Sequence, residues 1–150
     1  MYNWFECKVR YDKTLDTGMI KTVTEPYLVD AMSFTEAEAR ILEEMKPYMS
    51  GEFTVSDIKR VKFSDTFFNE TGDRYYKAKL YFITLDEKSG AEKKTAVNIL
   101  VQAKELSEAV DIVEVEMKKT MIDYTFASVT ESAIMDVFRY SVENKTKTSE

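Results

Sequence analysis

Positively charged and tyrosine side chains alternate with apolar ones in the middle of the chain. Alternate residues of a β-strand project to the same face, so these side chains would share one face of a sheet, opposite an apolar face. Lys and Arg between exposed Tyr rings can hold phosphates and stack bases, and each stacked base contributes about 1–3 kcal/mol. The candidate ligand-binding residues, called the basic strip below, are Arg60, Lys62, Arg74, Tyr75, Lys77, Lys79 and Tyr81.

Two other interpretations of the basic strip remain open. Strands on a solvated outer face commonly carry Lys, and Tyr favours strands through its packing alone. Tyr and Arg are also enriched in protein–protein interfaces, which makes an oligomer contact a further candidate. Residue types and spacing do not separate these two interpretations from a ligand site.

Side chains for the common catalytic chemistries are absent from the sequence. The chain has no His, which excludes an imidazole base and every catalytic triad built on one. Its single Cys, Cys7, alternates with apolar residues and is expected to be a small core residue. The chain has only four Gly, and no Gly-rich phosphate loop or dinucleotide turn occurs. The sequence therefore predicts a protein that is not an enzyme and that has no cofactor.

Carboxylates gather in three places, and none of them predicts a metal site. The first predicted helix carries four Glu between positions 36 and 44, which is typical of a solvated helix face. The segments Asp12–Asp16 and Asp86–Glu87 could hold a divalent cation loosely, but they fall in predicted hairpin turns, where Asp is common. A calcium loop needs ligands at alternating positions over about twelve residues, and no such pattern is present.

The sequence repeats itself, and the repeat defines the elements that must position the basic strip. Residues 5–68 align with residues 76–138 in residue type, order and spacing. Each copy begins with an alternating strand and a turn, continues with a second strand and an amphipathic helix, and closes with a third strand. The alternating apolar positions Phe5, Cys7, Val9 and Tyr11 align with Tyr76, Ala78, Leu80 and Phe82.

Local signals mark the boundaries of these elements. Ser33 and Glu36 form a capping box at the start of the first helix, and Gly51 follows its end. Pro26 in the second strand predicts a bulge or an edge there, because proline lacks an amide proton. The second helix is expected from Leu106 to about Ile122.

The loop Asn69–Asp73 is rich in turn residues and predicts a hairpin between the third strand of the first copy and the first strand of the second. That hairpin would join both copies in one sheet. The predicted fold class is therefore α+β, a tandem duplication of a β-β-α-β unit with about six antiparallel strands and two helices on one face. One domain is expected over residues 1–142, with repeats at about 4–69 and 74–140 and a frayed polar tail at 143–150.

Composition favours a cytoplasmic location. The lone Cys excludes a disulfide within the chain and fits a reducing compartment. The longest uncharged apolar stretch, Asn98–Ala103, is far shorter than the about 20 residues of a membrane span. The N-terminus lacks the pattern of a secretory signal. The net charge of −6 disfavours attraction of the whole surface to nucleic acid or anionic lipid.

The stretch Thr24–Arg40 and its second-half counterpart, from Asp86–Gly90 through Leu100–Ala103, resemble a domain family of unknown function. The resemblance extends from Trp4 to about Tyr140. That family occurs in gut anaerobes of the Bacteroides group and in their phages and prophages. The resemblance implies a small phage-associated protein of the bacterial cytoplasm or of the cytoplasm of an infected host cell. It implies no catalytic residues, because the family has no established active site.

The basic strip and the resemblance together suggest three functions. The first is a non-catalytic protein that captures a small anionic ligand such as a nucleotide, and so sequesters a signal of host defence; a homo-oligomer would suit it. The second is a single-stranded nucleic-acid accessory protein of a phage replication or recombination module, against which the net charge of −6 counts. The third is an interaction protein that blocks or scaffolds a host protein through a sheet edge or an acidic helix face.

Overall fold

The computed structural model describes residues 2–139 and has a mixed α+β fold. The expected frayed tail at 143–150 lies outside the described residues. Neither helix in the described part of the chain has the length and apolar character needed to cross a membrane. In chain order the elements are β1 (Asn3–Thr14), β2 (Ile20–Ala31), α1 (Phe34–Met45), a 3₁₀ turn (Lys46–Tyr48), β3 (Phe53–Val61), β4 (Asp65–Phe67), β5 (Arg74–Leu85), β6 (Glu92–Ala103), α2 (Leu106–Lys118), β7 (Tyr124–Ser132) and β8 (Val137–Phe138).

The contacts between residues divide the chain into two compact units. Among the described residues, the first unit comprises 2–62 and 133–139, and the second unit is Phe63–Ser132. Each unit holds one four-stranded sheet and one helix within these ranges. The expected single domain over residues 1–142 stays a prediction.

The sheet of the first unit has the strand order β3-β1-β2-β8. β1 and β2 form an antiparallel hairpin over their whole length, and Gly18 closes the turn at a φ of +85°, a left-handed conformation that glycine adopts without a Cβ penalty. Alternate apolar residues of both strands pack against the apolar stripe of α1. This core contains Phe5, Cys7, Val9, Val29, Ala31, Ala37, Ile41, Met45 and Phe138.

Two polar contacts hold α1 in place. The Ser33 half of the predicted capping box is confirmed, because the Glu36 backbone amide donates to Ser33 Oγ at 3.1 Å. Arg40 Nη1 lies 2.6 Å from Asp30 Oδ1, and only 10% and 8% of these two side chains are exposed. This buried ion pair ties the middle of α1 to the end of β2.

The sheet of the second unit has the strand order β4-β6-β5-β7. β5 and β6 pair antiparallel over their whole length across a turn that ends at Gly90, and β7 pairs with the other side of β5. α2 covers one face and ends at Lys118, before the expected Ile122. The core of this unit contains Tyr76, Ala78, Leu80, Ile99, Val101, Ala103, Ala109, Val113 and Met117.

The expected single antiparallel sheet of about six strands, with both helices on one face, is wrong. The described residues form two four-stranded sheets, and each helix packs against its own. Each sheet also contains a short parallel strand, β8 beside β2 and β4 beside β6. The expected hairpin between β3 and β5 does not form, because β6 and β7 occupy both sides of β5.

The loop between β4 and β5 is anchored to the end of β6 instead of forming a hairpin turn. Gln102 Oε1 accepts from the Asn69 amide at 3.2 Å, and Gln102 Nε2 donates to the Gly72 carbonyl at 3.0 Å. Gly72 is buried so close to Ala103 that a Cβ on it would lie 2.6 Å from Ala103 Cα. These contacts fix the residue at which β5 begins. They therefore also fix which face of the sheet each side chain of β5 projects from.

Candidate functional site

β5 places three residues of the basic strip on the face of the second sheet opposite α2, called the open face below although Leu100, the β6 partner of Lys77, is fully buried on it. Lys77 and Lys79 are exposed there and Tyr81 is half-buried, while the alternate residues of the strand are buried on the α2 side. Lys79 Nζ lies 5.8 Å from the centroid of the Tyr81 ring, which is a cation–π distance. The structure therefore brings together two ammonium groups and one partly accessible aromatic ring.

The other four residues of the basic strip are placed differently. Tyr75 belongs to the same face but is only 5% exposed, so its ring is closed to a ligand from solvent. Arg74 projects to the other side of the strand, where its Nη1 lies 3.5 Å from Glu131 Oε1. Arg60 belongs to β3 of the first unit and Lys62 follows that strand, so neither lies on the sheet that contains β5.

Strands β6 and β7 add polar side chains to this face that the sequence reasoning missed. Hydroxyl, amide and ammonium groups are the usual side-chain partners of phosphate oxygens. The β5–β6 turn could have indicated the partners on β6, because a hairpin turn sets its register. β7 follows a helix, and no local signal identifies its partners. The added residues, which share the face with Lys77 and Lys79, are Lys94, Asn98, Ser128 and Thr130.

The corresponding face of the first unit has a different charge pattern. There Glu6 pairs with Lys59 and Lys8 pairs with Asp57, so each ammonium group has a carboxylate directly across the ladder. On β5, the positions from 77 to 83 and all their ladder partners contain no Asp or Glu. Positive charge without nearby compensation attracts an anion, and the open face of β5 has this property.

A cleft of about 560 Å³ lies in the first unit, where the end of β1 meets the loop after the 3₁₀ turn. Small-molecule sites typically occupy about 300–1,000 Å³, so the size suits a ligand. Two adjoining clefts of about 420 and 320 Å³ share Glu52 with it. None of these three is lined by the basic strip. The side chains that give the large cleft its chemistry are Tyr11, Asp12, Lys13, Tyr48, Met49 and Glu52.

Glu25 lies close to two phenols, Tyr11 at the wall of this cleft and Tyr27. Tyr11 donates its hydroxyl proton to Glu25 Oε1 at 2.5 Å, and this hydrogen bond raises the pKa of Tyr11 to about 12. Burial, with the charge of Glu25 nearby, raises the pKa of Tyr27 to about 12 as well. Burial also raises the pKa of the Cys7 thiol to about 12, which leaves it protonated and unreactive.

The carboxylates at the hairpin turns bind their own chain. Asp86 Oδ1 accepts from the Lys88 amide at 2.9 Å, and Asp12 Oδ1 accepts from Thr22 Oγ1 at 2.8 Å. Between residues 2 and 139, no three His, Cys, Asp or Glu side chains are grouped so that they could hold a metal ion. The turn at Asp86 is an Asx turn, because the Asp86 side chain accepts from the backbone amide two residues later, as expected for Asp in a hairpin.

Comparison with known proteins identifies a family without describing an activity. A family model described as Domain of unknown function (DUF4494) matches residues 3–140. A search of curated proteins and a search of solved structures gave no match. The description states no ligand, reaction or partner, so the function has to be argued from the geometry of the two units.

Proposed function

The chain belongs to the DUF4494 family, and we propose that it is a non-catalytic binding protein whose second unit captures a nucleotide by its phosphates. The observation that carries the proposal is the uncompensated positive charge on the open face of β5. Lys77 and Lys79 are two positions apart on one strand, which separates their Cα atoms by about 7 Å. Both ammonium groups can therefore contact one polyphosphate.

Polar groups beside the lysines would complete the contacts to phosphate. Asn98 and Ser128 are the ladder partners of Lys79, and Thr130 is a partner of Lys77. Hydrogen bonds from an ammonium group to a phosphate oxygen are charge-assisted and about twice as strong as neutral ones. Tyr81 supplies the accessible part of one ring for a base, with Lys79 already close to it. We therefore expect the two lysines to bind the phosphates of the nucleotide and the Tyr81 ring to stack on its base.

A single strand of nucleic acid is a second candidate, and the shape of the face favours it. Small-molecule sites are usually concave, whereas this site is the surface of a sheet. β5 has 12 residues and so extends for about 40 Å, a length that can follow several nucleotides. The net charge of −6 opposes this candidate, because it repels the rest of a long polyanion.

We further propose that the two units are tandem copies and that the second acquired the basic face. Both units contain strand, strand, helix and strand in that order, and in both sheets the third strand lies beside the first. The ladder between these strands shifts register after Lys8 in one unit and after Lys79 in the other, which are aligned positions. Two residues before these positions, on the same face of the strand, Glu6 of the first unit aligns with Lys77 of the second, so the charge changes from negative to positive.

The setting that we propose is the one implied by the resemblance to phage-borne sequences. A protein that holds a nucleotide without converting it would lower the free concentration of a signal used in host defence. Such a protein would act in the cytoplasm and has to be abundant relative to its ligand. A homo-oligomer would place several copies of the face in one particle, which raises its capacity.

The experiment is a thermal-shift and calorimetric comparison of matched charge reversals. The purified protein is tested against mono-, di- and cyclic nucleotides and against a short oligothymidylate. A ligand that binds the folded state raises the melting temperature, and the shift grows with the ratio of its concentration to its Kd. We expect Lys79→Glu to weaken binding at least tenfold, which corresponds to about 1.4 kcal/mol, and Lys8→Glu at the aligned position of the first unit to leave it unchanged.

The outcomes separate the two candidates. A shift with one nucleotide that Lys79→Glu removes and Lys8→Glu retains supports nucleotide capture. A shift with the oligothymidylate alone, falling steeply with salt, supports the single-strand candidate. If no ligand shifts the melting temperature, or if both reversals act equally, the face of β5 is not the site. The remaining hypothesis would then be an interaction protein that binds a host protein.

A further inference from the structure

We propose that the 560 Å³ cleft of the first unit is a second ligand site, and that it binds an organic cation carrying an alkylammonium or guanidinium group. The cleft lies in a different unit from the face of β5, so the proposal is independent of the one above. Its support comes from the size of the cleft, the charges on its lining and the aromatic rings at its walls.

The charges on the lining favour a cation. Asp12 and Glu52 are carboxylates, and Lys13 is the ammonium group of the same lining. Glu25 adds a further carboxylate, because the Tyr11 hydroxyl at the wall of the cleft donates its proton to it. The lining carries two carboxylates against one ammonium group, so its net charge is negative and a ligand with a positive group is attracted.

The aromatic walls favour an organic cation over a hydrated metal ion. A Tyr ring attracts an ammonium or guanidinium group placed over its face, by about 0.5–2 kcal/mol. Tyr11 packs against the core, which holds its ring in place. Tyr48 is 69% exposed, but its ring packs against Phe138 with the centroids 6.5 Å apart. The two rings and the Met49 side chain give the cleft an apolar component that suits the carbon skeleton of such a ligand.

Glu52 is the residue on which the site depends most. It is exposed, it lies at the start of the segment that leads into β3, and it lines all three adjoining clefts. A cation in any of the three would therefore be near its carboxylate. The aligned positions of the second unit keep only part of the pattern: Asp12 aligns with Ile83, which removes one carboxylate, whereas Glu52 aligns with Asp123.

The test is isothermal titration calorimetry of the full-length protein at low ionic strength. Two probes represent the two sources of such a cation: spermidine for a free polyamine, and the blocked peptide acetyl-Gly-Arg-Gly-Arg-amide for a side chain of a partner protein. The variants are Glu52→Gln, Tyr48→Ala and Tyr48→Phe. Glu87→Gln in the β5–β6 turn of the second unit makes the same charge change away from the cleft and is the matched control.

We expect at least one probe to bind saturably, with a Kd raised tenfold or more by Glu52→Gln and by Tyr48→Ala. Tyr48→Phe keeps the ring and Glu87→Gln spares the cleft, so both should change the Kd less than twofold. Tighter binding of spermidine identifies a free polyamine, and tighter binding of the peptide identifies a partner's side chain. The proposal is overturned if neither probe binds at millimolar concentration, or if Glu52→Gln and Glu87→Gln weaken binding equally. Because Glu52 and Tyr48 are exposed, circular dichroism is expected to show that all variants fold.

Discussion

Tyr11 connects the packing of the first unit with the chemistry of its cleft. Its ring packs against the core and lines the cleft, and its hydroxyl donates to Glu25 at 2.5 Å. Ionising this phenol would break the hydrogen bond to Glu25, and burial and the charge of Glu25 also disfavour the phenolate, so the pKa of Tyr11 rises from 10.0 to about 12. The proton is therefore bound more tightly in the folded protein than in the unfolded chain.

This difference predicts a loss of stability at alkaline pH. Between about pH 10 and 12 the folded protein keeps the Tyr11 proton while the unfolded chain releases its own, so the free energy of unfolding falls as the pH rises. The contribution is complete below about pH 10 and is lost as the pH passes about 12. Urea unfolding of Tyr11→Phe, which has no phenol proton at this position, should therefore show a smaller decrease over this range than the parent protein.

The control for this prediction is Tyr48→Phe, which removes an exposed hydroxyl from the same cleft. Comparison with it separates the hydrogen bond to Glu25 from the general effect of losing a phenol. If the parent and Tyr11→Phe lose the same stability from about pH 10 to 12, the raised pKa of Tyr11 does not contribute to folding.

At the scale of elements, the local signals in the sequence predicted much of the structure. Ser33 capped the first helix as expected, and the alternation in β5 put Lys77 and Lys79 on the face opposite the buried residues. Alternation depends only on the geometry of one strand, so it can be read without knowing the neighbours. The same argument predicted that Tyr75 shares that face, but it could not predict that Tyr75 is buried there.

The neighbours of each strand could not be predicted in this way. The turn-rich loop Asn69–Asp73 suggested a hairpin, but β4, just before it, has three residues and pairs with β6. Within the second unit, β5 forms long ladders with β6 and β7 instead. The ladder with β6 closes a shorter loop than a hairpin between β3 and β5 would, but β7 returns to β5 only after α2, so a local signal could not identify it. The cleft of the first unit was missed for a related reason, because its lining comes from two segments far apart in the chain, residues 11–14 and residues 48–52.

Gly72 shows how the loop before β5 constrains the register of the whole strand. A Cβ at this position would lie 2.6–2.7 Å from backbone atoms of Ala103, and backbone atoms cannot move aside as a flexible side chain would. We expect Gly72→Ala to destabilise the protein by about 1–3 kcal/mol in urea unfolding. Gly51→Ala, where no atom lies within 4 Å of the added Cβ, is the control and should be close to neutral. Equal stabilities of the two variants would show that the loop relaxes.

At the scale of the whole molecule, two short strands belong to a different unit from the strand that precedes them in the chain. β4 follows β3 of the first unit but pairs with β6 of the second. β8 follows β7 of the second unit but pairs with β2 of the first. The sheet of each unit therefore includes a short strand that follows, along the chain, the third strand of the other unit's repeat: β4 after β3, and β8 after β7. A cut between residues 62 and 63 would leave the first unit without β8, so the two units cannot be produced as simple consecutive fragments.

This topology predicts where a mutation in a short strand has its effect. Phe138 in β8 is 7% exposed in the core of the first unit, and Phe138→Ala should cost about 3–5 kcal/mol. Hydrogen exchange measured by mass spectrometry should then rise more in β1 and β2, which are distant in sequence, than in β7, which directly precedes it. The matched variant is Phe67→Ala in β4, whose side chain packs against the core of the second unit, and it should affect β5 and β6 more than β3. If each variant instead raised exchange most in the strand that precedes it, sequence neighbourhood rather than unit membership would govern local stability, and the division into these two units would be wrong.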